Sequence, residues 1–187
     1  TGAFQVFDKY TGASILGPNS IASIWAGFGG PCETVASGFG DPIVLYDQLA
    51  HRWVISQFGP ADASTTQCIA VSTTSDATGT WNRYGFGFGT NLFTDPKLSV
   101  WPDGYYMSVN VFNPSGTTFL GQQPFAFDRA KMLNGLPATF ITLGIVGGPT
   151  EPIFRPADFD GSTLPPANAP NTYLGFPGNG SYRLWHF

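Results

Sequence analysis

Charged residues are scarce in this sequence of 187 residues, since Asp, Glu, Lys and Arg together make 11% against about 25% in an average soluble domain. Low charge with few aromatic residues would indicate disorder. Aromatic residues make 16% of this chain, however, and their rings can bury enough surface to offset chain entropy. The scarcity of Glu and Lys, together with 24 Gly and 16 Pro, excludes a helix bundle and predicts an all-β protein with many tight turns.

Basic residues are also too few for several classes of partner. Eight Lys and Arg stand against twelve Asp and Glu, for a net charge of −4. The sequence contains no basic stripe, so we expect no nucleic-acid partner. It contains no run approaching 18 apolar residues and no cationic amphipathic helix, so we expect no membrane insertion.

Cysteine and histidine occur only twice each, as Cys32, Cys68, His51 and His186. A zinc site needs more of these ligands at closer spacing, so we expect no metal of this kind. In a chain poor in Lys and Glu and rich in Gly, Ser, Thr and aromatics, the cysteines favour a Cys32–Cys68 disulfide and an extracellular location. The alternative is a pair of buried thiols.

An internal repeat is the strongest pattern in the sequence. Residues 41–58 (DPIVLYDQLAHRWVISQF) and 95–112 (DPKLSVWPDGYYMSVNVF) have the same length and lie 54 positions apart. Each begins with Asp-Pro, ends with Phe and has two apolar-rich runs around a polar turn, which predicts a β-hairpin.

The repeat continues beyond the hairpin. Residues 69–79 (IAVSTTSDATG) match 125–135 (FAFDRAKMLNG) at Ala and Gly, 56 positions apart, and one more apolar run follows each. Four antiparallel strands in a unit of 54–56 residues are typical of a β-propeller blade. A β-sandwich with strands at short intervals is the alternative.

The repeat divides the chain, as one propeller region, into about three and a quarter blades of a larger propeller. We expect strands 3 and 4 of one blade at 4–28, whole blades at 41–88 and 95–146, and strands 1 to 3 of a further blade at 158–187. One helical turn is predicted at Arg129–Leu133. Closed propellers typically have four to eight blades, so we expect additional blades from further sequence or from copies of the chain.

One turn carries a family resemblance. Residues 74–81 (TSDATGTW) resemble the Asp-box of sialidase-like propellers, Ser-x-Asp-x-Gly-x-Thr-Trp, with one extra residue between Asp76 and Gly79. The chain as a whole resembles secreted, mostly bacterial β-propeller proteins with degenerate blades of this kind. The resemblance implies that Asp76 caps backbone N–H groups, that Gly79 adopts a positive φ and that Trp81 packs between blades. It leaves function open, since propellers include hydrolases, lyases, lectins and scaffolds.

Carboxylates recur before the predicted innermost strands. Asp41 and Asp95 occupy equivalent places, and Asp158 or Asp160 is predicted to hold that place in the last blade. Such a ring at one channel mouth would suit sugar binding, Ca²⁺ binding or general acid/base chemistry. The alternative is that each Asp caps a blade-entry turn. Glu33, in the loop before Asp41, is a candidate general acid or a solvated loop residue.

Aromatic residues and a carboxylate surround the second hairpin turn. Trp101, Asp103 and Tyr105, together with Tyr106, suit sugar binding because a pyranose face stacks on a ring beside hydrogen-bonding groups. Packing between blades is the alternative for these rings. Arg155 comes closest to the arginines that sialidases use, but no arginine begins an inner strand, so sialidase activity is not expected.

Two functions remain from the sequence. The first is a secreted or cell-surface module that binds glycans or proteins or forms a scaffold, without a cofactor unless Ca²⁺ binds the Asp ring. The alternative is a polysaccharide-active glycoside hydrolase or lyase that uses carboxylates at the channel mouth. Two carboxyl groups about 5–9 Å apart in an open cleft would favour a hydrolase.

Overall fold

The computed structural model describes residues 2–34, 40–59, 65–148, 153–177 and 179–187. Strands dominate these residues and pair antiparallel throughout, which confirms the all-β prediction. The elements in chain order are β1 (Ala3–Phe7), β2 (Ser14–Ser20), a 3-10 helix (Ile21–Trp25), α1 (Gly30–Thr34), β3 (Ile43–Asp47), β4 (Arg52–Phe58), β5 (Thr66–Ser72), β6 (Trp81–Gly87), β7 (Leu92–Val100), β8 (Tyr105–Phe112), β9 (Phe119–Phe127), α2 (Arg129–Leu133), β10 (Phe140–Thr142), β11 (Ile153–Pro156), β12 (Thr172–Phe176) and β13 (Arg183–His186).

The described strands form four sheets in which chain neighbours pair. Sheet 1 contains β1 and β2, sheet 2 contains β3 to β6, sheet 3 contains β7 to β10, and sheet 4 contains β11 to β13. The two copies of the sequence repeat form the two four-stranded sheets, and their predicted hairpins are β3–β4 and β7–β8. Within the described ranges, the strands do not form a closed barrel or propeller.

The chain divides into two compact units. Unit 1 comprises Thr1–Gly89 and Met132–Leu136, and unit 2 comprises Thr90–Lys131 and Pro137–Phe187. Sheets 1 and 2 therefore belong to unit 1, and sheets 3 and 4 belong to unit 2.

The core of unit 1 forms on one face of sheet 2. Ile55 and Ala70 lie opposite one another across β4 and β5 and pack against Ile24 and Trp25 of the 3-10 helix. Burial of these side chains removes apolar surface from water and holds the helix on the sheet. The predicted Cys32–Cys68 disulfide is confirmed, with Cα atoms 5.7 Å apart, and it joins α1 to β5.

The core of unit 2 brings sheet 4 against sheet 3. Tyr106, Phe154 and Tyr173 are buried together, and the rings of Phe154 and Tyr173 stack with centroids 4.8 Å apart. The Tyr173 hydroxyl donates toward the backbone carbonyls of Met107 (3.2 Å) and Phe125 (3.1 Å). These contacts satisfy the buried hydroxyl with groups of two different strands of sheet 3.

Two local predictions have different outcomes. The helical turn at Arg129–Leu133 is confirmed as α2, and the Asp128 carboxylate accepts a hydrogen bond from the Lys131 N–H at 3.1 Å, as at other helix N-termini. The segment 4–28, expected to hold two strands, contains β1 and β2, but β2 ends at Ser20 and does not continue to residue 28. The Ser20 hydroxyl accepts from the Ala22 N–H, which starts the 3-10 helix instead.

The last predicted blade begins too late in the sequence. Sheet 4 already starts at Ile153, so Asp158 and Asp160 follow β11 instead of preceding an inner strand. The sequence EPI at 151–153 ends on the first residue of β11, just as DPI at 41–43 ends on the first residue of β3. Glu151 and Pro152 lie outside the described residues, so this third copy of the motif is carried by the sequence alone.

Candidate functional site

A cleft in unit 2 contains two of the residues that the sequence singled out for ligand binding. It has a volume of about 300 Å³ and is lined by residues 101–103, at the β7–β8 turn, and 164–169, in the loop between β11 and β12. Trp101 is partly exposed and Asp103 is exposed. The volume lies at the lower end of the range for small-molecule sites.

Hydrogen bonds hold both walls of this cleft, called here the Trp101 cleft. The turn closes through the Trp101 N–H and the Gly104 carbonyl at 3.0 Å. The Trp101 indole N–H donates to the Ala169 carbonyl at 3.0 Å, so the ring edge is fixed against the opposite wall. An indole with its polar edge already paired presents its apolar surface to a ligand.

Asp158 positions the loop that forms the second wall. Its carboxylate accepts from the Val100 N–H at 2.7 Å, and the Phe159 N–H donates to the Val100 carbonyl at 2.9 Å. Desolvation raises the pKa of Asp158, and the nearby Asp160 raises it further. Asp158 therefore ties the loop to the end of β7, directly before Trp101. Asp160 is exposed and does not line the cleft.

Asp103 is oriented by a buried tyrosine. The Tyr106 hydroxyl lies 3.2 Å from each oxygen of the Asp103 carboxylate. Burial of Tyr106 raises its pKa, and the Asp103 charge raises it further, so this hydroxyl stays protonated and remains a donor. Tyr105, by contrast, is completely buried beneath the Arg129 guanidinium, 5.8 Å from its ring centroid, and cannot contact a ligand in this state.

Asp41 and Asp95 share a backbone conformation that the sequence did not reveal. Both have φ of 51°, in the left-handed region that few residues other than Gly adopt. Asp95 forms an ion pair with Lys97, whereas Asp41 is exposed and makes no hydrogen bond with other described residues. Neither carboxylate caps a backbone N–H among these residues, so the turn-capping interpretation lacks its hydrogen bonds.

Glu33 stabilises a loop through hydrogen bonds to its backbone. Its carboxylate accepts from the N–H groups of Gly27 (2.8 Å) and Gly29 (2.6 Å). These hydrogen bonds, and to a smaller extent the Arg83 charge, hold the pKa of Glu33 below its ordinary value. A lowered pKa disfavours the protonated form that a general acid needs.

The Asp76 turn reproduces only part of the geometry implied by the family resemblance. The Asp76 carboxylate accepts from the N–H (2.8 Å) and the hydroxyl (2.7 Å) of Thr78, and Trp81 packs against the unit 1 core. Gly79 does not have a positive φ, so that expectation is wrong. Its N–H instead donates to the Asp76 carbonyl at 3.3 Å.

Neither a metal centre nor a membrane helix is found in the described part of the chain. Those residues contain no group of three or more His, Cys, Asp or Glu that could hold a metal ion. No helix among them is long and apolar enough to cross a membrane.

Comparison with known families and with curated proteins gives no match to the sequence.

Proposed function

We propose that the chain is an extracellular glycan-binding module whose ligand site is the Trp101 cleft. The observation that carries the proposal is the combination of a partly exposed indole and an oriented carboxylate in one cavity of about 300 Å³. Sugars combine apolar C–H faces with hydroxyl groups, and this pair of side chains complements both. The disulfide supports the extracellular location, because such bonds persist in oxidising compartments.

In the proposed complex, one face of a sugar ring packs on Trp101 and its hydroxyl groups donate to Asp103. The two Tyr106 contacts hold the carboxylate in place before the ligand arrives, which lowers the entropy cost of binding. Asn168 lines the same cleft and supplies a side-chain amide that can donate to or accept from a sugar hydroxyl.

Titration of a panel of neutral oligosaccharides tests this proposal. We expect Asp103→Ala to weaken binding about tenfold or more, because a hydrogen bond to a charged group is worth about 1.5–3 kcal/mol. Asp160→Ala is the matched control, since it removes an exposed carboxylate outside the cleft and should leave the affinity unchanged. Equal affinity of Asp103→Ala and wild type would contradict the assignment, as would the absence of binding to any oligosaccharide.

We also propose that the sheets are blades of a propeller that additional blades or copies of the chain complete. The repeat places its two copies on two four-stranded sheets, while sheets 1 and 4 have two and three strands. Exposed apolar side chains such as Ile141, Leu143 and Leu184 offer surface for such packing. If copies of the chain complete the propeller, sedimentation equilibrium should give a multiple of 20.0 kDa, and a stable monomer at micromolar concentration would contradict assembly from copies.

The hydrolase or lyase alternative remains a prediction without a supporting contact. Among the carboxylates proposed for catalysis, Glu33 accepts hydrogen bonds from two backbone N–H groups, and Asp95 forms an ion pair with Lys97. Binding of proteins, in place of glycans, is the outcome to consider if the oligosaccharide titrations fail.

A further inference from the structure

A second cavity, in unit 1, has a different character from the Trp101 cleft. It has a volume of about 330 Å³ and lies between β1 and the face of sheet 2. Its walls are mainly apolar and include Phe4, Val6, Val44, Trp53, Ile55 and Trp81. Since apolar walls with a few polar groups are typical of small-molecule sites, we call it the apolar cavity and consider what it could bind.

The two tryptophans give the apolar cavity its shape. The Trp53 indole N–H donates to the Ser75 carbonyl at 3.1 Å, and its ring packs against Tyr46 with centroids 5.0 Å apart. Trp81 packs against the buried core of unit 1. Both rings are only partly buried, so each can offer ring surface to an apolar group in the cavity.

Lys9 contributes the only charged side chain among the lining residues. It is exposed, its ammonium lies 5.0 Å from the Tyr10 ring centroid, and no carboxylate of the described residues pairs with it. The adjacent Asp8 carboxylate is occupied by the N–H groups of Tyr10 (3.0 Å) and Thr11 (2.8 Å). The cavity thus combines an apolar interior with one positive charge at its rim.

We propose that the apolar cavity binds a small apolar carboxylate, such as a medium-chain fatty acid. The alkyl tail fills the space between Trp53 and Trp81, and the carboxylate pairs with Lys9. Burial of the tail supplies most of the affinity, and the ion pair supplies the preference for an anion. This site is independent of the proposed glycan site, because its residues belong to unit 1.

Calorimetric titration with octanoate, 1-octanol and octylammonium at low ionic strength separates the two contributions. We expect octanoate to bind up to about fivefold more tightly than 1-octanol, the upper end of the range for an exposed ion pair, and octylammonium to bind least. Lys9→Met should lower octanoate affinity to that of 1-octanol. Lys131→Met, which removes the same charge outside the cavity, is the matched control and should leave octanoate binding unchanged.

A second variant locates the ligand. Val44→Trp places an indole ring in the cavity and should abolish binding of both octanoate and 1-octanol, while circular dichroism confirms that the variant is folded. The proposal is overturned if octanoate does not bind, if Lys9→Met binds it as wild type does, or if the folded Val44→Trp variant still binds it.

Discussion

Gln57 is a buried polar residue whose side chain makes no hydrogen bond with the described residues. It lies on β4, is completely buried, and has no hydrogen-bond partner for its side-chain nitrogen or oxygen among the described residues. Gln67 on β5 is buried to the same extent, but its side-chain nitrogen donates to the carbonyls of Gln57 (3.0 Å) and Cys68 (3.3 Å), so that only its side-chain oxygen has no partner among the described residues. The two residues therefore form a matched pair that differs in hydrogen bonding.

Substitution by Met should distinguish these glutamines. We expect Gln57→Met to leave the free energy of unfolding unchanged or to raise it. A buried amide without hydrogen-bond partners destabilises the folded state, because it loses its hydrogen bonds to water and gains none in the protein. Gln67→Met should lower the free energy of unfolding by about 1 kcal/mol, because the loss of two hydrogen bonds outweighs the removal of one unpaired oxygen. Urea unfolding measures both, and an equal loss in the two variants would mean that the Gln57 amide has a partner.

The Glu33 carboxylate should make stability depend on pH. Its folded pKa is depressed from 4.5 by the N–H groups of Gly27 and Gly29, so its contribution is present above that ordinary value and is lost as the pH falls through the folded pKa. Between pH 7 and pH 3 we expect the melting temperature of wild type to fall more than that of Glu33→Gln.

The control for this pH experiment is Asp41→Asn. Asp41 is also an exposed carboxylate of unit 1, but it makes no hydrogen bond with other described residues. Its substitution removes one exposed carboxylate of the same unit without removing a hydrogen bond between described residues. A Glu33→Gln slope identical to wild type would contradict the role assigned to the Glu33 hydrogen bonds.

At the level of elements, the disulfide fixes α1 to the middle of sheet 2. It closes a loop with a sequence separation of 36 residues, and cross-linking such a loop stabilises by about 4 kcal/mol in the chain-entropy estimate. We expect dithiothreitol to lower the free energy of unfolding by about 3–4 kcal/mol. The Cys32→Ala/Cys68→Ala variant should show no change with the reductant, and an unchanged wild type would contradict this contribution.

The elements also show what the sequence could predict. Regular hairpins with polar turns, such as β3–β4 and β7–β8, follow from local patterns that the repeat reinforces. The loop between β11 and β12 separates paired strands by 15 residues, 157–171, so sheet 4 shows no compact hairpin pattern. The start of β11 could have been found from the EPI tripeptide at 151–153, which differs from DPI by one methylene in its acid.

The candidate site was only partly predictable for the same reason. Trp101 and Asp103 lie in one turn, so their proximity follows from sequence. The opposite wall of the cleft consists of residues 164–169. The hydrogen bond between Asp158 and Val100 holds the loop of that wall against β7, and these two residues are 58 positions apart in the sequence. Tyr105 is buried whereas the nearby Trp101 is partly exposed. This difference depends on how the sheets pack, and the sequence does not reveal it because both residues are aromatic.

At the scale of the whole molecule, the two proposed sites differ in the chemistry of their lining residues. The Trp101 cleft of unit 2 combines an indole with an oriented carboxylate, and the apolar cavity of unit 1 combines two indoles with a lysine. A neutral sugar should therefore protect only unit 2, and an apolar carboxylate only unit 1.

Hydrogen–deuterium exchange with saturating oligosaccharide tests the central claim most directly. The account predicts slower exchange at residues 101–104 and 164–169, with no change at 3–9, and loss of this protection in Asp103→Ala but not in Asp160→Ala. Unchanged exchange in both cleft segments, or protection confined to another part of the chain, would contradict the assignment of the Trp101 cleft as a glycan site.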